Sequence, residues 1–154
     1  MRTMMLSLKP DVFNNVLSGE KIYEHRKVFP EGPVTAYIYI SQPVQALAGI
    51  LYLDNKVQLK TWKDKYGYDL MAVRRIDKYL EQYNVAMEIQ KFQNTTSISL
   101  EDIKKEFPSF LIPQMYYYLD DLPLLDYLQM NLTPIEPKIS HEFNDIDSKY
   151  ICVH

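Results

Sequence analysis

The alternation of apolar and polar residues predicts strands through most of the first third of the chain, with one short helix among them. Met4–Leu8 reads as a strand. Pro10 suits the first turn of a helix and Asp11 complements the dipole at that end. Val12, Phe13, Val16 and Leu17 form a single apolar stripe, and Gly19 is a natural stop, so a helix over 10–18 follows. Lys21–Val28 reads as a strand polar on both faces, and Pro30–Pro33 as a turn. The clearest strand is Val34–Ser41, where Val34, Ala36, Ile38 and Ile40 alternate with Thr35, Tyr37, Tyr39 and Ser41 before Pro43 breaks the run. Ala46–Asp54 reads as a more buried strand, with Gly49 as a bulge or a point of close approach.

Further along, the period changes. Residues 60–67 suit a turn of helix, and Leu70, Val73, Ile76 and Leu80 recur at helical spacing over Leu70–Tyr83. Ala86–Phe92 alternates as a strand. A helix over Leu100–Phe107 has Ser99 as its N-cap and Asp102 placed as in a capping box. The segment 107–114 reads as an ordered loop, Met115–Leu119 as an extended piece and Pro123–Met130 as a short helix. From Thr133 onward, Pro134, Pro137 and scattered acids predict an extended tail that closes on His154 as a strand.

A parallel βαβ architecture needs a helix after most strands. The expected fold is therefore α+β: a small mixed, largely antiparallel β-barrel or curled sheet with peripheral short helices over 60–83 and 100–130. At 154 residues the chain fits one domain, with residues 1–132 forming it and 133–154 a tail packed on it.

Composition narrows the chemistry. Cys152 is the single cysteine, which excludes an internal disulfide framework and a cysteine-based zinc cluster. Four glycines cannot supply a phosphate-binding loop, and His25, His141 and His154 show no metal-ligand spacing, so neither cofactor nor metal is expected. No apolar run approaches the roughly 20 residues of a membrane span, and the first residues lack a signal-peptide layout, which points to a cytoplasmic protein with no membrane partner. The net charge of −3 hides an asymmetry. Residues 1–75 hold 11 Lys/Arg against 7 Asp/Glu, a balance of +4, whereas residues 76–154 hold 6 against 13, a balance of −7. A local basic surface is therefore compatible with overall acidity. The cluster Lys60, Lys63, Lys65, Arg74 and Arg75 reads as a solvated helix face, and Tyr116–Tyr118 as sheet packing rather than a stacking platform.

What remains is Ser18–Pro30, where five charged residues and His25 follow one amphipathic run and precede a strongly apolar one. On a strand, Ile22, Glu24 and Arg26 share one face, and Tyr23, His25 and Lys27 the other. Charge pattern alone favours an exposed strand whose ion pairs are worth a fraction of a kcal/mol each.

The run Gly19-Glu-Lys21-Ile-Tyr-Glu24-His-Arg26 resembles the Gly-x-Lys-x-x-Glu-x-Arg signature of ASCH domains, a branch of the PUA-like superfamily. Ser7-Leu-Lys9-Pro10 with its helix is similar to the family's N-terminus, and Tyr37-Ile-Tyr-Ile-Ser-Gln-Pro43-Val to its second long strand and following turn. Ala86–Ile89, Ile98–Ile103, Pro113-Gln114 and Tyr118-Leu119 resemble its later elements in the right order. The chain is thus similar to the small single-domain bacterial or phage-type members over roughly residues 4–130. The resemblance implies a five- or six-stranded PUA-like barrel with a cleft lined by the signature residues, binding RNA or a nucleotide or nucleoside.

It implies a ligand-binding set of Lys9, Lys21, Glu24, Arg26, Ser41, Gln114 and Tyr118, with Lys21 and Arg26 on phosphate and Arg26 bidentate where geometry permits. It moves Lys21, Glu24 and Arg26 from solvated strand to site, and leaves Glu20, His25 and Lys27 as solvated residues. Some relatives are hydrolases, either ribonuclease-like or removing acetyl from acetylcytidine through a Lys–Thr–Glu constellation. In an enzyme of either type, Lys21 and Glu24 would be the catalytic pair. Here Glu24 occupies the threonine position, which argues against acetylcytidine hydrolysis by that route, and Met115 follows Pro113-Gln114 where relatives often carry a hydroxyl.

Overall fold

A computed structural model describes residues 2–154. Its strands are β1 (Arg2–Leu8), β2 (Tyr23–Arg26), β3 (Val34–Ile40), β4 (Ala46–Gln58), β5 (Val85–Thr95), β6 (Ile98–Ser99), β7 (Tyr116–Tyr118) and β8 (Pro134–Ser140). The helices are α1 (Pro10–Leu17), α2 (Trp62–Lys65), α3 (Leu70–Tyr79), α4 (Leu100–Glu106) and α5 (Pro123–Asn131). All eight strands join one curled sheet, whose continuous path runs β2-β5-β4-β3-β1-β7, with β6 on β4 and β8 on β5. The expected five or six strands correspond to that path; the two additions are a short strand before α4 and one from the tail. Only β1 and β3 pair in parallel, from Arg2 opposite Val34 to Leu8 opposite Ile40, and every other ladder is antiparallel.

The concave face of the sheet holds Met4, Leu6, Leu8, Val34, Ala36, Ile38, Ile40, Leu51, Leu53, Met87, Ile89 and Phe92, closed by Phe13 and Val16 of α1. The alternation in β3 selects this face. Its other face is buried too: Tyr37 and Tyr39 lie under α4 and α5 with Ile103, Leu124 and Leu128, and Tyr39 is 1 % exposed. An expected polar face is therefore a second core, made possible because tyrosine supplies a large apolar ring with a polar tip. A third cluster joins Ile22 and Tyr23 to Trp62, Tyr66, Ile76 and Tyr79 of the α2–α3 layer.

Other boundaries shift for local reasons. β4 continues to Gln58 because a register shift between Asp54 and Lys56, with Asn55 at φ 53°, bends the strand without ending it. α3 stops at Tyr79, where a turn leads into β5. Ser99 caps α4 as expected, accepting from the Asp102 amide at 3.1 Å. The tail does not close as a strand at His154. β8 pairs with β5, a 3-10 turn follows at Ser148–Tyr150, and Ile151 and Cys152 bury in the third core against the α2–α3 layer, so the ending is held by side-chain burial rather than by a strand ladder. No helix among the described residues is long and apolar enough to cross a membrane.

Gly49 allows the curl. It adopts φ +87° where β3 and β4 slip register between Tyr37 and Tyr39, and its amide donates to Thr95 Oγ1 at 2.8 Å. A Cβ there would meet Phe92 at 2.9 Å, Phe13 at 3.1 Å and Ile38 at 3.3 Å. Gly49→Ala combines left-handed strain with overpacking in the barrel core, so it should cost about 2–4 kcal/mol in urea unfolding. A Gly49→Ala protein as stable as the parent contradicts this packing.

Candidate functional site

The site forms where the curled sheet fails to close. β2 is one edge of the sheet path and β7 the other. Gly19, at φ +84°, turns the chain off the end of α1, and the Lys21 amide donates to Asn15 O at 2.9 Å, which delivers Lys21 to the start of β2. Across the gap stand the end of β1 and the loop leading into β7.

Arg26 spans this gap. One terminal guanidinium nitrogen donates to Met115 O at 3.2 Å; the other donates to Ser7 O at 3.0 Å and approaches Glu24 Oε2 at 3.5 Å. Its Nε has no hydrogen-bond partner among the described residues. Ser7 also donates its hydroxyl to Pro113 O, fixing the same loop from the opposite side. Glu24 is buried. Oε1 accepts the His25 amide at 2.9 Å and lies 3.8 Å from Lys21 Nζ, so the carboxylate sits between two cations.

Lys21 is 2 % exposed, the most heavily buried charge in the cluster. Its ammonium donates to Val153 O at 2.8 Å and to His25 Nδ1 at 3.4 Å. Accepting there assigns the neutral His25 proton to Nε2, which faces the Trp62 and Tyr79 rings and has no partner among the described residues. Burial holds the Lys21 amine below its usual value; Glu24 opposes the shift and Arg26 adds to it. Burial also drives His25 well below the ordinary histidine value, reinforced by the charges of Lys21, His154 and Arg26. His154 is lowered by its own partial burial and then by Lys21, while burial raises the Cys152 thiol to about 12. A buried lysine–carboxylate–arginine cluster in a cleft, with the lysine and the adjacent His25 displaced from their ordinary protonation, is the pattern expected of a binding or reacting site rather than of a solvated strand.

The cleft above these residues has a volume of about 750 Å³. Of the residues expected at the site, Lys9, Lys21, Glu24, Arg26, Ser41 and Gln114 all line it. Tyr118 does not: it pairs with Met4 in the sheet, and its ring lies under the Arg2 guanidinium, 3.5 Å from its carbon to the ring centroid. Three of the five Arg26 N–H groups face protein oxygens, on Met115, Ser7 and Glu24, while the Nε–H has no partner among the described residues. Sequence reasoning left His25 and Lys27 as solvated residues, yet both line the cleft, as do Ser7, Tyr83, Met115 and His154. The only sequence signal for His25 was its place inside the signature octet. His154 carried none, since it arrives through the fold of the tail.

No family model matches the chain. It is 27% identical over 122 residues to a protein of Zymomonas mobilis named ASCH domain-containing ribonuclease, an alignment spanning 75% of this chain and 82% of that protein. The crystal structure of ASCH from Zymomonas mobilis superposes with a TM-score of 0.69 at 23% identity, covering 88% of this chain and 99% of that one. The crystal structure of one of its point mutants gives 0.67 at 21% identity over 86% of this chain and 100% of the other. These superpositions establish the shared fold.

Two outcomes follow from the geometry. Arg26→Lys keeps the charge but cannot reach both carbonyls across the seam, so it should lower stability by about 1–3 kcal/mol in urea unfolding; an unchanged midpoint contradicts the bridging role. His25 is neutral in the fold, and the unfolded chain takes up its proton as pH falls below the ordinary value of 6.5. Its contribution is complete above that pH and is lost as pH drops toward the depressed folded value. His25→Gln, which still offers Lys21 an acceptor, should therefore lose less stability than the parent as pH falls from 6.5 toward the depressed folded value. Parallel pH profiles contradict the buried neutral imidazole.

Proposed function

As a member of the ASCH domain family, this chain, we propose, is an RNA-binding protein whose ligand enters the cleft at the open seam of the barrel. The observation that supports this most is the convergence of Lys21, Glu24 and Arg26, the three signature charges, on the floor of one cavity large enough for nucleotide units. The name of the Zymomonas mobilis relative points to the same ligand class.

In this reading Lys21 supplies a fixed cation beneath a phosphate, and Lys9 and Lys27 supply mobile cations around it. Arg26 acts as a positioning residue that holds the two walls apart at a set width. Ser41 and Gln114 offer a hydroxyl and an amide to base edges. Ile112, Met115 and Tyr83 provide apolar surface against which a base can lie. Glu24 balances the two buried cations, so that the empty cleft does not hold unpaired charge.

Cleavage of the bound RNA is the second reading, favoured by the depressed basicity of Lys21 beside a neutral His25. An uncharged Lys21 amine would take the proton of a ribose 2′-hydroxyl as that oxygen bonds to the adjacent phosphorus. The P–O5′ bond breaks, the leaving 5′ oxygen takes a proton back from the lysine ammonium, and a 2′,3′-cyclic phosphate remains. Glu24 puts a carboxylate where the Lys–Thr–Glu route to acetyl removal would need a hydroxyl nucleophile.

Binding is tested by fluorescence anisotropy with short single-stranded RNA. Lys21→Met should weaken binding at least about tenfold and flatten the salt dependence by about 0.7 in logarithmic slope, while exposed Lys65→Ala stays within twofold of the parent. Equal losses from both variants contradict the cleft. Mass spectrometry of the same RNA separates the two readings: cyclic-phosphate products that disappear with Lys21→Met support cleavage, and intact RNA retained at the cleft supports binding alone.

A further inference from the structure

A second cavity of about 350 Å³ opens beside the cleft, lined by Lys27, Val28, Phe29, Lys56, Gln58, Lys60, Leu80, Asn84 and Val85. Lys27 lines both cavities, so the two are neighbours that share this side chain. Three of the nine lining residues are lysines and none is acidic. The groove is also held in shape. The Asn84 amide donates to Arg26 O at 3.0 Å and its side chain to Lys27 O at 3.1 Å, while Asn84 O accepts from the Leu59 amide at 2.9 Å. One residue thus fixes the exit of β2 against the end of β4.

Lys56 is brought here by the register shift in β4 and is anchored by donation to Phe29 O at 3.0 Å. Its remaining partner, Glu31 at 2.6 Å, is a largely solvated carboxylate on a turn. The Lys56 stem is mostly buried but Glu31 is 81 % exposed, so water screens the pair from the Glu31 side and a phosphate arriving from solvent can take the carboxylate's place on Lys56. Lys60 and Lys27 are exposed. Val28, Phe29 and Leu80 give the groove apolar surface between the lysines, a mixture suited to a strand that presents phosphates and bases in turn.

We infer that this groove is a second phosphate site, so that a single-stranded RNA longer than the cleft continues past Lys27 onto Lys56 and Lys60. The inference rests on the cleft being an RNA site, and it gives the basic first half of the chain a function. Lys27 stands at the junction, where a phosphate leaving the cleft is shared between the two cavities.

The test compares a uridine dinucleotide with a uridine octanucleotide on the full chain. The octanucleotide should bind the parent at least about tenfold more tightly, with a steeper salt dependence. Lys56→Gln/Lys60→Gln should remove most of that advantage, reduce the logarithmic salt slope for the octanucleotide by about 1.4, and leave dinucleotide binding within twofold. Exposed Lys60→Gln alone, which gives up no backbone contact, should show about half the slope change; Lys104→Gln/Lys105→Gln on α4 should show none. If the double variant keeps the full octanucleotide affinity while Lys21→Met loses it, the groove is overturned and the cleft stands. If the double variant loses it and Lys21→Met does not, the groove binds phosphate by itself, and both the cleft reading and the proposed path from cleft to groove are overturned. An octanucleotide that binds the parent no better than the dinucleotide, or not at all, overturns the groove.

Discussion

The structure turns on a carboxylate held between two cations at the unclosed seam of a curled sheet. Glu24 lies within 3.8 Å of the Lys21 ammonium and 3.5 Å of the Arg26 guanidinium, and the lysine is almost wholly withdrawn from bulk water. Buried charges of this kind are tolerated only when every member keeps its partners; removing one leaves an uncompensated charge that costs several kcal/mol. The partners here are distributed through the chain. Ser7 O and Met115 O receive Arg26, Val153 O receives Lys21, and the amide of His25 donates to Glu24. The N-terminal strand, the loop before β7 and the tail are thereby drawn to the same few ångströms, and a cleft remains because the sheet ends there instead of closing.

The same cluster explains how much of the site was legible in the sequence. The octet spacing brings Lys21, Glu24 and Arg26 together because they lie on or beside one short strand and their geometry is local. Glycines were legible for a related reason: Gly19 and Gly49 each occupy a left-handed backbone position that their surroundings demand. What could not be read were partners that are carbonyl oxygens, since every residue has one and none leaves a compositional mark. Val153 is 132 positions from the lysine it anchors. Tyr118 was misplaced because β7 is only three residues long, and its register against Met4 turns that ring toward Arg2. Burial of both faces of β3 was likewise hidden, because Tyr37 and Tyr39 look polar in an alternation pattern and behave as core residues once α4 and α5 cover them.

Charge placement links the cleft to its neighbouring groove. The overall balance is acidic, yet the two neighbouring cavities are lined by Lys9, Lys21, Arg26, Lys27, Lys56 and Lys60, with Glu24 among the lining residues and Glu31 beside Lys56 as the facing carboxylates. Electrostatic attraction of a polyanion depends on this local field rather than on the net charge. Glu24 is what keeps that field from being built of unbalanced cations, since its carboxylate lies between Lys21 and Arg26.

The most direct test of the account is an amide and lysine side-chain NMR titration of the isotopically labelled protein with a short single-stranded RNA. The account predicts shifts concentrated at residues 7–9, 21–27, 41 and 112–115, with the Lys21 Nζ resonance among the largest. Shifts confined to surfaces away from the seam, with Lys21 unmoved at saturating RNA, would contradict it.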